Sequence, residues 1–187
     1  MGDPRTSSRD TRRAFNAEPT DALLSLGANV GERVATIERA IMLIAGSPGI
    51  ELVRTSSMYE TAPVGYLDQP SFINAAVLIA TTLSAHDLLA RLRSIEQDLG
   101  RVTRERWHER EIDIDILLFG DGVVDADQLH IPHREMHRRR FVLVPAAEIA
   151  PDMHHPLLHL TVSDVLARCD DTSRVSRIED QSEQNAE

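Results

Sequence analysis

Arg110-Glu111-Ile112-Asp113-Ile114-Asp115-Ile116-Leu117-Leu118-Phe119-Gly120 is the stretch on which the fold turns. Ile and Asp alternate, a bulky apolar run follows, and a glycine closes it. This is the pattern of a β-strand with one buried face. Residues i and i+2 of a strand share a face, so Asp113 and Asp115 point the same way, roughly 6–7 Å apart. Ile112, Ile114 and Ile116 point to the other face. At an effective dielectric near 20, two carboxylates at that spacing repel by roughly 2–3 kcal/mol. A cation between them removes that repulsion, and hard oxygen ligands with few other protein donors suit Mg²⁺ carrying a phosphorylated substrate. A sheet face turned to water, with both acids merely solvated, explains the strand alone equally well.

The neighbourhood shifts the balance toward a metal. Arg101, Arg104, Arg106 and Arg110 lie just upstream, and Arg134, Arg138, Arg139 and Arg140 lie downstream. An acidic pair between arginine clusters suits a metal site that also holds a polyphosphate. All 20 basic residues are arginine. Any basic side chain that contacts phosphate is therefore a guanidinium, which forks onto two oxygens, and lysine-dependent P-loop or Schiff-base chemistry is excluded.

The bulk composition sets the class. A chain of 187 residues, 42% hydrophobic, suits one globular domain with a sizeable core. Its formal net charge of −10 argues against nucleic acid as a partner. A single cysteine, Cys169, allows no internal disulfide and fits a reducing, cytoplasmic setting. No apolar run approaches the roughly 18–20 residues that span a membrane, and the N-terminus lacks the apolar core of a secretory signal. No membrane association is expected.

The order of elements follows from periodicity. Residues 1–20 and 170–187 are polar and charged and are expected to be disordered tails around a single domain, 21–169. Ala22 to Leu26 reads as a strand, and Asn29 with Glu32 as a helix start. Val34, Ile37, Ile41 and Ile44 follow helical spacing until Gly46-Ser47-Pro48-Gly49. Ile50 to Tyr59 reads as a second strand, Thr61 to Pro70 as a loop, and Phe72 to Thr82 as a third strand. Ser84 with Asp87 opens a second helix with a stripe of Leu88, Leu92, Ile95 and Leu99, closed by Gly100. Arg101 to Glu109 is a charged loop before the Arg110–Gly120 strand. The result is an α+β fold. It has a ferredoxin-like βαββαβ core, a mainly antiparallel sheet with helices packed on it. A C-terminal helical extension, Phe141 to Ile149 and Ser163 to Arg168, completes it.

Other residues suggest chemistry without deciding it. Phe72 and Asn74 share a strand face, as an aromatic and an amide that can stack on and hydrogen-bond a flat heterocycle. A core Phe beside an Asn that satisfies loop backbone is the plainer account. Trp107 can cover a nucleotide or anchor its loop. Glu96, at the edge of an apolar stripe, needs a partner: an arginine of the following loop or a ligand hydroxyl. His133 and Arg139 can add hydrogen bonds and charge near phosphate. His154, His155 and His159 lack a matching ligand set.

Assembled, these blocks resemble the 6-hydroxymethyl-7,8-dihydropterin pyrophosphokinases of folate biosynthesis. The likeness runs from about Leu23 to Asp152. It rests on Leu26-Gly27-Ala28-Asn29, Ser57 to Gly65, Gln69 to Ala76, Gly100-Arg101-Val102, Arg106-Trp107, the Arg110–Gly120 strand, Ile131-Pro132-His133, and Arg139 to Pro145. The resemblance implies transfer of the β,γ-pyrophosphoryl group of ATP to the pterin hydroxymethyl oxygen, giving AMP. It implies that Asp113 and Asp115 hold two Mg²⁺ ions with ATP. Phe72 and Phe141 match the ring-stacking positions. Asn74, with backbone around Thr61, Ala62 and Val64, matches the pterin-binding set. Arg101 and Arg110 match catalytic arginines over the nucleotide, while Glu96, Trp107, Arg110, Ile116, His133 and Arg139 match ATP-binding positions. Two departures stand out. His108-Glu109 occupies the place of the usual Gly-Pro, and Arg134-Glu135 follows His133 in place of Pro-Arg. The rivals to this reading are a magnesium-dependent phosphohydrolase using the same acids, and a ferredoxin-like RNA-binding module.

Overall fold

A computed structural model describes residues 18–63, 69–101 and 110–178. The elements run β1 (Thr20–Ala28), α1 (Arg33–Ala45), β2 (Ile50–Thr55), β3 (Tyr59–Thr61), β4 (Phe72–Thr81), α2 (Ala85–Asp98) and β5 (Asp113–Phe119). After them come a hairpin, β6 (Val124–Ala126) and β7 (Leu129–Ile131), and a 3-10 turn, Met136–Arg138. The chain then forms α3 (Arg140–Ile149), β8 (His154–His155), β9 (Leu160–Thr161), α4 (Val162–Ala167) and β10 (Val175–Arg177).

The principal sheet is antiparallel, in the order β10-β3-β4-β1-β5, with β2 also paired to β4. The expected ferredoxin-like core is present. Its expected second strand is split, however, because Ser56 interrupts the ladder. Ser56 N–H donates to Ala76 O at 2.9 Å, and its Oγ accepts from Ala76 N at 2.8 Å. A side-chain oxygen thus substitutes for a main-chain acceptor, and the strand restarts at Tyr59.

Alternation along the strands divides the core in two. Ala22, Leu24, Leu26 and Ala28 of β1, Ile73 to Ile79 at odd positions of β4, and Ile114 and Ile116 of β5 pack under α1 and α2. Leu88, Leu92 and Ile95 of α2 are fully buried there, at about 1.5–3 kcal/mol each. Ser84 caps that helix as expected, accepting from Asp87 N at 3.2 Å.

On the opposite face α3 and α4 cover Leu23, Ala76, Leu117 and Leu118. Leu117 and Leu118 reach the same cluster because the β1–β5 register shifts between Leu23 and Leu24. The covered residues lie toward one end of the sheet. Ser25, Gly27, Asn74, Asp113 and Asp115, at the other end, are left to line a cavity.

Two expectations change here. α1 begins at Arg33 and takes no side-chain cap from Asn29. The stretch expected to be tail from residue 170 instead adds β10 to the edge of β3, pairing Val175 with Thr61 and Arg177 with Tyr59. The N-terminal tail, up to residue 17, lies outside the described residues.

Candidate active site

Two small residues of β1 make the floor of a cavity of about 460 Å³. Gly27 pairs with Asn74 of β4 on one side and with Asp113 of β5 on the other, and Ser25 pairs with Ala76 and Asp115. The amide therefore stands two strands from the acids, about 10 Å at the usual strand spacing. The floor between them carries almost no side chain. At Gly27 a Cβ would come within 3.2 Å of Asn74 Oδ1, so glycine is what lets the amide lie against the sheet.

The amide end is buried and held by a side-chain hydrogen bond. Asn74 is 2% exposed and donates through Nδ2 to Thr61 Oγ1 at 2.8 Å. Phe72 and Phe141, both half-buried, line the cavity with Ala62. Apolar ring faces beside a satisfied amide are suited to a flat, polar-edged heterocycle.

The acidic end is densely paired. Asp113 Oδ1 meets Arg101 at 3.0 Å, and Asp113 Oδ2 is bound by Arg110. Arg101 also pairs with the buried Glu96, whose Oε1 accepts from Ile114 N at 2.7 Å. Glu96 thus takes the loop arginine as its partner. Burial raises its carboxyl above the ordinary range, while Arg101 and the Ile114 N–H pull it back. Arg101 is itself held above its usual value, because Glu96 and Asp113 outweigh its own burial.

Asp115 differs. Burial first, then the charge of Asp113, pushes its carboxyl up to about 7, against the opposing pull of Arg139. Its side chain is still 44% open to the cleft, so this is the desolvation of a cleft floor rather than of a sealed core.

His133 Nε2 lies 4.0 Å from Asp115 Oδ2. Glu135 N–H donates to His133 Nδ1 at 3.2 Å, which leaves the ring proton on Nε2, toward the acid. Burial, then Arg139, lowers His133 to about 4, so at neutral pH it offers a hydrogen bond and no charge. Of the pair expected to add hydrogen bonds and charge, the charge is then left to Arg139.

Asn29 carries a role that its sequence context hides. It is 1% exposed. Its Oδ1 accepts from Arg110 N at 2.8 Å, its Nδ2 donates to Gln69 Oε1 at 3.1 Å, and its own N–H donates to Arg110 O at 3.1 Å. It therefore ties β1 to Gln69 and Arg110, both of which line the cavity. Arg138 of the downstream arginine cluster and Glu135 also line the cavity, as do Asp171 and Ser173, which sequence did not single out.

Two expected site residues, Ile116 and Glu96, point away from the cavity. The Ile116 side chain is 4% exposed and packs in the core on the face opposite the acids. It contributes no side-chain contact to the cavity. Glu96 faces Arg101 and Ile114 N rather than the cavity itself. Val64 and Trp107 lie outside the described residues.

The family model described as 7,8-dihydro-6-hydroxymethylpterin-pyrophosphokinase matches residues 23–151. The chain belongs to this family. A 2-amino-4-hydroxy-6-hydroxymethyldihydropteridine pyrophosphokinase of Methylorubrum extorquens is 45% identical over 160 residues, covering 86% of this chain and 99% of the relative. One of Haemophilus influenzae is 43% identical over 135 residues, covering 72% of this chain and 84% of the relative. Among solved structures, a Plasmodium falciparum HPPK-DHPS with pterin and p-hydroxybenzoate superposes with a TM-score of 0.64 at 16% identity. The match covers 83% of this chain but 45% of that longer one, and it establishes the fold.

Pyrophosphokinases of this family use a nucleotide, for which Mg²⁺ is expected. The donor set fits such an ion. Among the described residues no group of three or more His, Cys, Asp or Glu could hold a metal unaided. Asp113 and Asp115 supply carboxylates on one face, and a cation relieves the repulsion from Asp113 that adds to burial in raising Asp115. Phosphate oxygens and water would complete a hard-ion shell. No helix among the described residues is long and apolar enough to cross a membrane.

Proposed function

We propose that the protein transfers the β,γ-pyrophosphoryl group of ATP to the hydroxymethyl oxygen of 6-hydroxymethyl-7,8-dihydropterin, a step of tetrahydrofolate biosynthesis. The observation that carries this is one cavity, in a chain of this family, with an aromatic-amide end and a carboxylate-arginine end. The floor of Gly27 and Ser25 between them is where the two substrates meet.

In this reading Phe72 and Phe141 sandwich the pterin, and Asn74, with the backbone of Thr61, Ala62 and Val64, hydrogen-bonds its edge. Asp113 and Asp115 hold two Mg²⁺ ions with the triphosphate. Bound there, Mg²⁺ supplies neutralisation of phosphate charge and polarisation of the β-phosphorus. The hydroxymethyl oxygen attacks the β-phosphorus as the bond from that phosphorus to the α–β bridging oxygen breaks. AMP leaves with that bridging oxygen, and the hydroxyl proton passes to solvent. The protein does little covalent work, as is usual in phosphoryl transfer.

Arg101 and Arg110 stabilise the charge on the leaving side, exchanging some of their hold on Asp113 for phosphate oxygens. Arg139 and neutral His133 bind the triphosphate by charge and by hydrogen bond respectively. With a net charge of −10, the protein acts on small molecules, without nucleic acid or membrane partners, in the cytoplasm.

The test is AMP formation from Mg-ATP with and without the pterin. Pterin-dependent AMP, abolished in Asp113→Ala, is expected. ATP cleavage at the same rate without pterin would instead identify a phosphohydrolase and overturn the reading.

A further inference from the structure

The polar segment after α4 is built into the aromatic end of the cavity. Asp171 Oδ2 accepts from the backbone N–H of Arg140 at 2.9 Å, at the first turn of α3. Its Oδ1 accepts from Ser173 N at 2.8 Å and from Ser173 Oγ. Both Asp171 and Ser173 line the cavity beside Phe141. Four residues on, Val175 enters β10 and pairs with Thr61, the residue that holds Asn74, and Ile178 N–H donates to Met58 O at 2.9 Å. One strap therefore joins the helix that carries Phe141 to the strand end that carries Thr61.

The start of α3 needs such a hold. Its N-cap, Arg139, supplies no side-chain cap. Pro145 lies inside the helix and has no N–H, so Phe141 O loses the helical donor due to it at i+4. The Arg139 carbonyl is shared by Val142 N and Leu143 N, both at 3.1 Å. The turn bearing Phe141 is thus short of its own ladder bonds, and a carboxylate distant in sequence fixes it. That carboxylate is also well matched to the positive end of a helix.

We propose that Asp171 is a positioning residue for pterin binding. It holds Phe141 at the cavity wall through the Arg140 N–H, and the strap it begins braces the opposite wall at Thr61. The inference rests on the pterin reading of this cavity. Ser173 keeps the carboxylate turned toward the helix, and the bonds from Ser173 and Arg140 keep the acid ionised, since they hold it below the usual carboxylate range despite its burial.

The full-length chain is assayed as wild type, Asp171→Ala, Asp171→Asn and Ser173→Ala. Initial rates are measured against 6-hydroxymethyl-7,8-dihydropterin and against Mg-ATP, alongside thermal melts. Asp171→Ala is expected to raise the pterin KM at least fivefold and the ATP KM less than twofold. Asp171→Asn retains an acceptor for Arg140 N–H and is expected to restore the pterin KM to within twofold of wild type. An unchanged pterin KM in Asp171→Ala overturns the proposal. So does an equal rise in both KM values that Asp171→Asn fails to rescue, because that is the signature of general loosening. If Asp171→Ala does not fold, Ser173→Ala decides, with a rise confined to the pterin KM expected and no rise overturning the proposal. Wild-type protein that ignores the pterin would refute the parent reading instead, and a Phe141→Ala control separates the two failures.

Discussion

Replacing Glu96 tests whether the acidic end of the site is held from beneath. Its carboxylate is 3% exposed, accepts from Ile114 N and pairs with Arg101. Glu96→Ala strands the Ile114 N–H in the core, which costs about 1–3 kcal/mol. Arg101 is 31% exposed and keeps Asp113, so its share is discounted to about 1 kcal/mol. The sum is about 2–4 kcal/mol, or roughly 10 °C in melting temperature for a domain of this size. Glu96→Gln has the same shape and still accepts from Ile114 N, so it loses only the charge, about 1 kcal/mol. Urea unfolding of the three proteins measures both differences. The ATP KM is expected to rise in both variants, because Arg101 loses the partner that aims it at Asp113. A Glu96→Ala protein within 1 kcal/mol of wild type, or a Gln variant as unstable as Ala, would refute the reasoning that the Ile114 bond dominates.

Three further outcomes are expected. Gly27→Ala places a Cβ 3.2 Å from Asn74 Oδ1 and should raise the pterin KM about tenfold while leaving the ATP KM near wild type, read from initial rates. Asp113→Ala and Asp115→Ala should each lower Mg²⁺-dependent turnover by about a thousandfold, equivalent to about 4 kcal/mol of lost transition-state stabilisation; retention of full turnover by either variant counts against the metal assignment. Burial lowers the folded-state pKa of His155, so below the unfolded value of 6.5 the unfolded chain binds a proton that the native state resists. Stability from this group is therefore complete above that value and is lost as pH falls toward the folded pKa. The urea midpoint should drop between pH 7.5 and 5.5, and the drop should be smaller in His155→Gln.

The Asp113–Phe119 strand was legible because one property, the period of two, fixes both its conformation and its faces. The same holds for α2, where Ser84, the Leu88–Leu92–Ile95 stripe and Gly100 agree locally. Asn29 was misread for a physical reason. The pattern Asn29…Glu32 is what a capping box looks like, and nothing local reveals that Arg110 and Gln69 compete for the amide. The stretch from Asp171 to Arg177 was misread because composition reports burial. This segment is held by main-chain pairing to β3 and by one carboxylate, neither of which needs apolar side chains. Ile116 shows the limit of motif transfer: the strand placed it correctly, but its side chain serves the core.

The bare floor at Gly27 has a consequence for how this cavity can change under selection. Most pocket walls evade an inhibitor by exchanging one side chain for a bulkier one. Here even a methyl group on Gly27 would press on Asn74 at 3.2 Å, the amide proposed to bind the substrate. A compound that draws its affinity from close packing on Gly27 would therefore meet a surface on which escape and substrate binding are opposed. Resistance would have to arise at the rim, around Ala62, Glu135 or Arg138, where side chains are exposed.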